Sequence, residues 1–171
     1  MKLTKVLFGL GFLATTIFAN DFVNYKTLTT QLKAEAKKSG LYATTDEVKV
    51  ALKAKDWAVV DVRQPEEWAG AYIQGSQRVG RQTPEIAIEN FVTDDNGKLI
   101  KDKIIVVCNS AARASIQAQT FKQMGFKTVK IYDLYSWIDE CNPVVTKYTV
   151  KQDKSGTGLK FGNFYAEHCK K

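Results

Sequence analysis

Three short apolar runs constrain this chain more than any other feature. Trp57-Ala-Val-Val-Asp-Val62 and Ile104-Ile-Val-Val107 are apolar at nearly every consecutive position, and Thr128-Val-Lys-Ile-Tyr132 is mostly so. A strand with one wet face alternates apolar and polar residues, whereas a continuous run must be covered on both faces. Helical segments fall between these runs. Thr44 and Glu47 form a capping box opening a helix through Val48, Leu52 and Ala54. Pro65-Glu-Glu-Trp68 has Pro and acids where a first turn favours them, and Thr83-Pro84-Glu85 starts a helix through Ile86, Ile88 and Phe91. Residues 111–124 place Ala114, Ala118 and Phe121 on one face before Gly125, and Leu134 to Glu140 forms a last short helix. Strands alternating with helices in this way predict an α/β fold, a mostly parallel central sheet with helices on both faces.

The ends differ from this middle. Lys2 and Lys5 precede an apolar stretch from Val6 to Phe18, with Ala19 as a small residue before a cut, which is the layout of a secretory signal peptide. Thirteen apolar residues are short for a membrane span, so the expectation is export to a bacterial periplasm with cleavage near Ala19. Residues 20–43 read as an N-terminal helix with Val23, Tyr25, Leu28, Leu32 and Ala36 near one face. After Pro143, Val144 to Val150 suggests an extra strand, Lys154 to Gly158 a flexible stretch, and residues 146–171 an appendage packed on the domain of residues 44–145.

Composition narrows the chemistry. Of 171 residues one is His, which excludes multi-His metal sites and disfavours Cys/His or Ser/His catalysis. The absence of a CxxC pair removes zinc-ribbon and thioredoxin-type motifs. No metal or cofactor is expected. The net charge is +7, and about +5 without residues 1–19, but lysines are spread along the chain with no dense basic run, so no nucleic-acid partner is expected. Small anionic substrates suit that charge better.

The nucleophile to which these exclusions point is Cys108. It ends the second apolar run, in Val106-Val-Cys-Asn-Ser-Ala-Ala-Arg113-Ala, where ligands bind beyond the carboxyl ends of parallel strands. A strand-to-helix loop turns backbone N–H groups toward a common centre, and the helix adds the positive end of its dipole. With Arg113 nearby, these groups favour thiolate over thiol without a histidine. Asn109, Ser110, Ala111 and Ala112 would line an anion cradle, the small residues keeping it open. The bland reading is a buried core cysteine.

These residues resemble a known family. Asp61-Val-Arg63-Gln-Pro65-Glu-Glu-Trp68 with Tyr72-Ile-Gln-Gly75, the Cys108-to-Arg113 loop, and Trp137 with Pro143 are similar, in order, to the signatures of rhodanese-like sulfurtransferase domains. The loop most resembles that of the periplasmic polysulfide-sulfur transferases (Sud-type), which also carry a signal peptide and an N-terminal helix. The resemblance implies a persulfide cycle on Cys108. Sulfane sulfur from polysulfide or thiosulfate would pass to a thiophilic acceptor, with Arg113 catalytic and Arg63 and Arg81 helping to bind the anion. Arg63 reads equally as a structural partner of Asp61, which itself reads as support for the loop. The resemblance also implies a homodimer and a periplasmic or membrane-bound sulfur-reducing partner.

Several positions depart from the family pattern. Tyr132-Asp133 replaces Gly-Gly, Tyr72 replaces His, Gln74 replaces Pro, and Cys141 replaces Gly. Cys141 and Cys169 are candidates for a disulfide stapling the tail, against two free thiols or a resolving partner for Cys108. His168 reads as a surface residue. Two other functional readings stand beside the sulfurtransferase. One is a non-turnover carrier delivering polysulfide sulfur to a membrane reductase. The other is a cysteine phosphatase or arsenate reductase, whose loop holds five residues between Cys and Arg where this one holds four.

Overall fold

The alternation of side chains along three strands builds the molecule. In the computed structural model, which describes residues 22–147, 150–153, 156–159 and 162–169, β1 (Trp57–Asp61), β3 (Lys103–Cys108) and β4 (Thr128–Asp133) pair in parallel. A two-residue strand, β2 (Gln77–Arg78), completes a four-stranded sheet of order β2-β1-β3-β4. Ala58, Val60, Ile104, Val106, Cys108, Val129 and Ile131 face one core, while Val59, Ile105, Val107 and Tyr132 face the other. The period of two therefore feeds two cores from the same strands. The first core is closed by α1 (Tyr25–Lys38), α4 (Pro84–Ala87), α5 (Glu89–Val92) and α6 (Ala112–Gln123), the second by α2 (Thr45–Ala51) and α7 (Leu134–Asp139).

Local chemistry sets the element ends. Asn24 caps α1 through its side chain, and Thr44 with Glu47 forms the capping box of α2. Cys141, at φ +59, ends α7 in a Schellman arrangement, its N–H donating to Ile138 O and that of Asn142 to Trp137 O. Trp137 Nε1 donates to Pro143 O at 2.8 Å, a physical reason for the Trp and Pro of the last motif.

Several expectations are corrected. The segment of residues 83–91 is two short helices rather than one, and α2 stops at Ala51 rather than Ala54. The apolar stripe of α1 is buried only toward its C-terminal end, at Ala36 and partly at Leu32. Val23, Tyr25 and Leu28 are exposed, and the small Thr29, outside the foreseen face, is buried beside Ala36. The strand foreseen over Val144 to Val150 is divided. Here β5 (Val144–Thr146) pairs antiparallel with β8 (Gly162–Phe164), and β6 (Val150–Asp153) with β7 (Gly156–Leu159). The stretch foreseen as flexible thus holds the start of β7, although Lys154 and Ser155 lie outside the described residues. So does the foreseen signal peptide. Among the described residues no helix is long and apolar enough to cross a membrane.

The tail is tied back at three places. Tyr72 and Val145 exchange backbone hydrogen bonds of 2.9 Å, Lys147 N donates to Ala69 O, and a disulfide joins Cys141 to Cys169 with their Cα atoms 5.4 Å apart.

Phe121 sits at the centre of the first core, fully buried and edge-on to Phe126. Phe121→Ala is expected to lower unfolding free energy by about 3–5 kcal/mol in urea titration, by lost transfer energy plus a cavity.

Candidate active site

The site is built where β1 and β3 end side by side, Asp61 opposite Val107 in the register. Asp61 and Arg63 are both buried, Arg63 only 2 % exposed. A buried guanidinium must find partners for its donors, and here it finds them at once. Arg63 Nη2 donates to Asp61 Oδ2 at 2.7 Å and to Ala71 O at 2.6 Å. Its Nε donates to both Asp61 oxygens, and its Nη1 to Asn109 Oδ1 at 3.0 Å and to Glu67 O at 3.2 Å.

Asn109 passes the connection on. Its Nδ2 donates to Glu67 Oε1 at 2.8 Å, and Glu67 in turn grips Arg113, whose Nη1 and Nη2 donate at 2.5 and 2.6 Å. One chain of bonds therefore runs from Asp61 through Arg63, Asn109 and Glu67 to Arg113, crossing β1, α3 (Pro65–Gly70), the Cys108 loop and α6. The hydrogen bond from Arg113, foremost, and its charge hold the Glu67 carboxyl well below its ordinary value of 4.5, at about 2. The same bond raises Arg113 above the usual guanidinium range.

Cys108 lies at the head of this frame, buried and free of any disulfide. Its Sγ accepts from the Ala114 N–H at 3.4 Å. That donor belongs to the first turn of α6, whose N-cap residue, Ala111, supplies no side-chain acceptor. The sulfur therefore takes one of the donors that a helix start leaves without an intrahelical partner. Ala111 adopts φ +60 and ψ 0, a left-handed conformation that swings the loop from strand into helix.

The expected residues divide accordingly. Cys108, Asn109, Ser110, Ala111, Ala112 and Arg113 form one loop, with Ser110 exposed at its tip. Asn109 turns its amide into the frame rather than the cradle. Of the two readings of Arg63, the geometry favours the structural partner of Asp61, since its donors are taken up inside the protein. The charge of Cys108 is among those that raise Arg113, but the Arg113 donors face Glu67. Arg81 is exposed beyond the end of β2, with β1 between β2 and the Cys108 strand.

Glu67 is the residue that sequence reasoning missed. It was legible only as an acid in a helix first turn, although an Arg beside a reactive loop requires some partner. Tyr42 is a second addition. Its hydroxyl is pushed up by burial and by the charges of Asp133 and Cys108, which places it beside the site. The departures also find physical roles. The Tyr132 hydroxyl meets Thr45 Oγ1 at 2.6 Å, and burial first of all pushes it up to about 12. Asp133 caps α7 by accepting from Ser136 N at 2.8 Å. Tyr72 stacks on Trp68 with ring centroids 4.0 Å apart, and Lys147 Nζ lies 4.7 Å from the centroid of the Trp68 ring.

Comparison with known proteins now bears on this arrangement. Residues 44–134, just over half of the chain, match the rhodanese-like domain family. The chain belongs to that family. No curated protein matches it. Among solved structures, the rhodanese-like domain is similar to the polysulfide-sulfur transferase homodimer of Wolinella succinogenes. That likeness has 23 % identity and a TM-score of 0.52, covering 71 % of this chain and 88 % of that one. It is similar also to a Rhodopseudomonas palustris protein of unknown function, for which tyrosine phosphatase has been suggested, at 22 % identity and a TM-score of 0.51, covering 71 % and 94 %. At these identities the likeness is one of fold.

Two outcomes follow for the rhodanese-like domain. The Glu67 carboxyl titrates lower folded than unfolded, so its pairing adds stability above about pH 4.5 that is lost as pH falls toward 2. In urea titrations between pH 6 and pH 2.5, Glu67→Gln is expected to flatten that dependence. Ala111→Gly should relieve the left-handed backbone and raise stability by about 1 kcal/mol, while Ala111→Val should lower it.

Proposed function

We propose that this rhodanese-like protein is a sulfurtransferase that carries sulfane sulfur as a persulfide on Cys108. The observation that carries the reading is the buried Cys108 thiol, outside any disulfide, accepting the helix-start N–H of Ala114. In the cycle, the Cys108 thiolate attacks a terminal sulfane sulfur of the donor. The new S–S bond forms as a donor S–S bond breaks, and the shortened donor leaves with the electron pair. The acceptor then attacks the outer sulfur, and the Cys108–sulfur bond breaks to return the thiolate.

A terminal persulfide is a single negative charge on a large atom, and backbone N–H donors stabilise it without proton transfer. The four residues between Cys108 and Arg113 suit one sulfur better than a tetrahedral oxyanion, which sets the phosphatase and arsenate reductase readings aside. Arg113 is assigned here to positioning, with Glu67 and Asn109, and to a long-range pull on anions. Polysulfide and thiosulfate are the proposed donors. The leader-like residues 1–19 support an exported location, where a sulfur-reducing partner would draw on the same persulfide. A homodimer is proposed by analogy with the Wolinella protein.

The test is turnover. With polysulfide or thiosulfate as donor and cyanide as acceptor, the protein is expected to form thiocyanate catalytically, and Cys108→Ser to lose at least a hundredfold. Glu67→Gln should retain activity at a reduced kcat, since it disturbs the brace and leaves the nucleophile. Uptake of one sulfur without steady turnover would select the carrier reading instead, and equal rates for parent and Cys108→Ser would refute both.

A further inference from the structure

The C-terminal crosslink holds more than two sulfurs. Cys141 Sγ, Cys169 Sγ and a ring nitrogen of His168, the protein's one histidine, lie within 4.8 Å of one another. His168 and Cys141 are exposed and Cys169 is half-buried, so reductants and ions reach them from solvent. Each is held by its own backbone. Cys141 occupies the left-handed position that ends α7, and Cys169 closes the 3-10 turn Glu167–Cys169, its N–H donating to Ala166 O at 3.0 Å. His168 Nε2 rests 3.3 Å from Asp139 O, on the last turn of the same α7.

We propose that these three residues form a redox-gated metal site. In the oxidised protein Cys141 and Cys169 crosslink the tail to α7. A thiol or phosphine reductant delivers two electrons and two protons to that bond, giving two thiols. A soft-accepting divalent cation of the zinc type then displaces both thiol protons and binds two thiolates and the imidazole, with water in the fourth position. Two sulfurs and one imidazole nitrogen are a donor set that zinc takes readily. Tetrahedral ligation separates the sulfurs by about 3.8 Å at Zn–S bonds of about 2.3 Å. Side-chain rotation reaches that separation from the bonded state, with Cα atoms 5.4 Å apart. The tail would thus stay docked in both redox states through alternative crosslinks. Cys108 has no part in this site.

The experiment uses the protein carrying Cys108→Ser, so that Cys141 and Cys169 are the remaining thiols. After reduction by a phosphine without oxygen, followed by desalting, Zn²⁺ is titrated against a chromophoric chelator. One zinc per chain is expected for the reduced protein and none for the oxidised one. His168→Ala should weaken binding at least tenfold, and Cys169→Ser should abolish it. As a second readout, bound zinc should slow alkylation of both thiols, followed by intact mass. Zinc retention no greater in the reduced than in the oxidised protein would overturn the proposal. Binding by the His168→Ala protein as tight as in the parent would remove the three-ligand site.

Discussion

The buried guanidinium of Arg63 is the joint on which the carboxyl edge of the sheet is assembled. It is enclosed at 2 % exposure and holds Asp61, Asn109 and the carbonyls of Glu67 and Ala71 at once. A charge taken this far from water is tolerated only when its donors are matched, and removing one partner of such a pair costs about 3–5 kcal/mol. The arrangement therefore fixes several elements together: the end of β1, the turn into α3, and the first residue after Cys108. Glu67 and Arg113 extend the same frame onto α6. The loop is held from both ends, by Asn109 against Arg63 and Glu67 and by Arg113 against Glu67.

That frame redistributes the work of the site. The side chains that might have met an anion directly, those of Arg63, Asn109 and Arg113, are committed to one another or to Glu67. The hydrogen bond that the sulfur accepts comes from backbone, the Ala114 N–H at 3.4 Å from Cys108 Sγ. Backbone donors fixed by a helix start need no reorganisation when charge moves onto the sulfur. The side chains keep the backbone in place, Arg113 through its paired hydrogen bonds to Glu67. On this account, anion stabilisation and loop rigidity are separable properties of neighbouring residues.

Much of this was legible in the chain, for reasons that differ from element to element. The central strands declared themselves because Val59, Val60, Ile105 and Val106 are apolar without alternation, a pattern only a two-sided sheet explains. The Cys108 loop followed from its place at the end of such a run. β2 was invisible, since Gln77-Arg78 is too short to carry a period and is a strand only through its pairing with Val60 and Asp61. The buried face of α1 was only partly read: Ala36 was foreseen, but Tyr25 and Leu28 carry the hydrophobicity and stay exposed, while packing selected the small Thr29. Glu67 escaped notice because a bidentate pair 46 residues apart leaves no local trace. The tail's pairing of β5 with β8 was hidden for the same reason.

The central claim is that sulfur is held on Cys108. Intact-protein mass spectrometry of the protein before and after incubation with polysulfide, beside Cys108→Ser, tests it most directly. The account predicts a gain of one or more sulfur masses on the parent, reversed by cyanide and absent from the variant. A parent whose Cys108 thiol is shown to be free and which gains no sulfur would contradict it, as would an equal gain on Cys108→Ser.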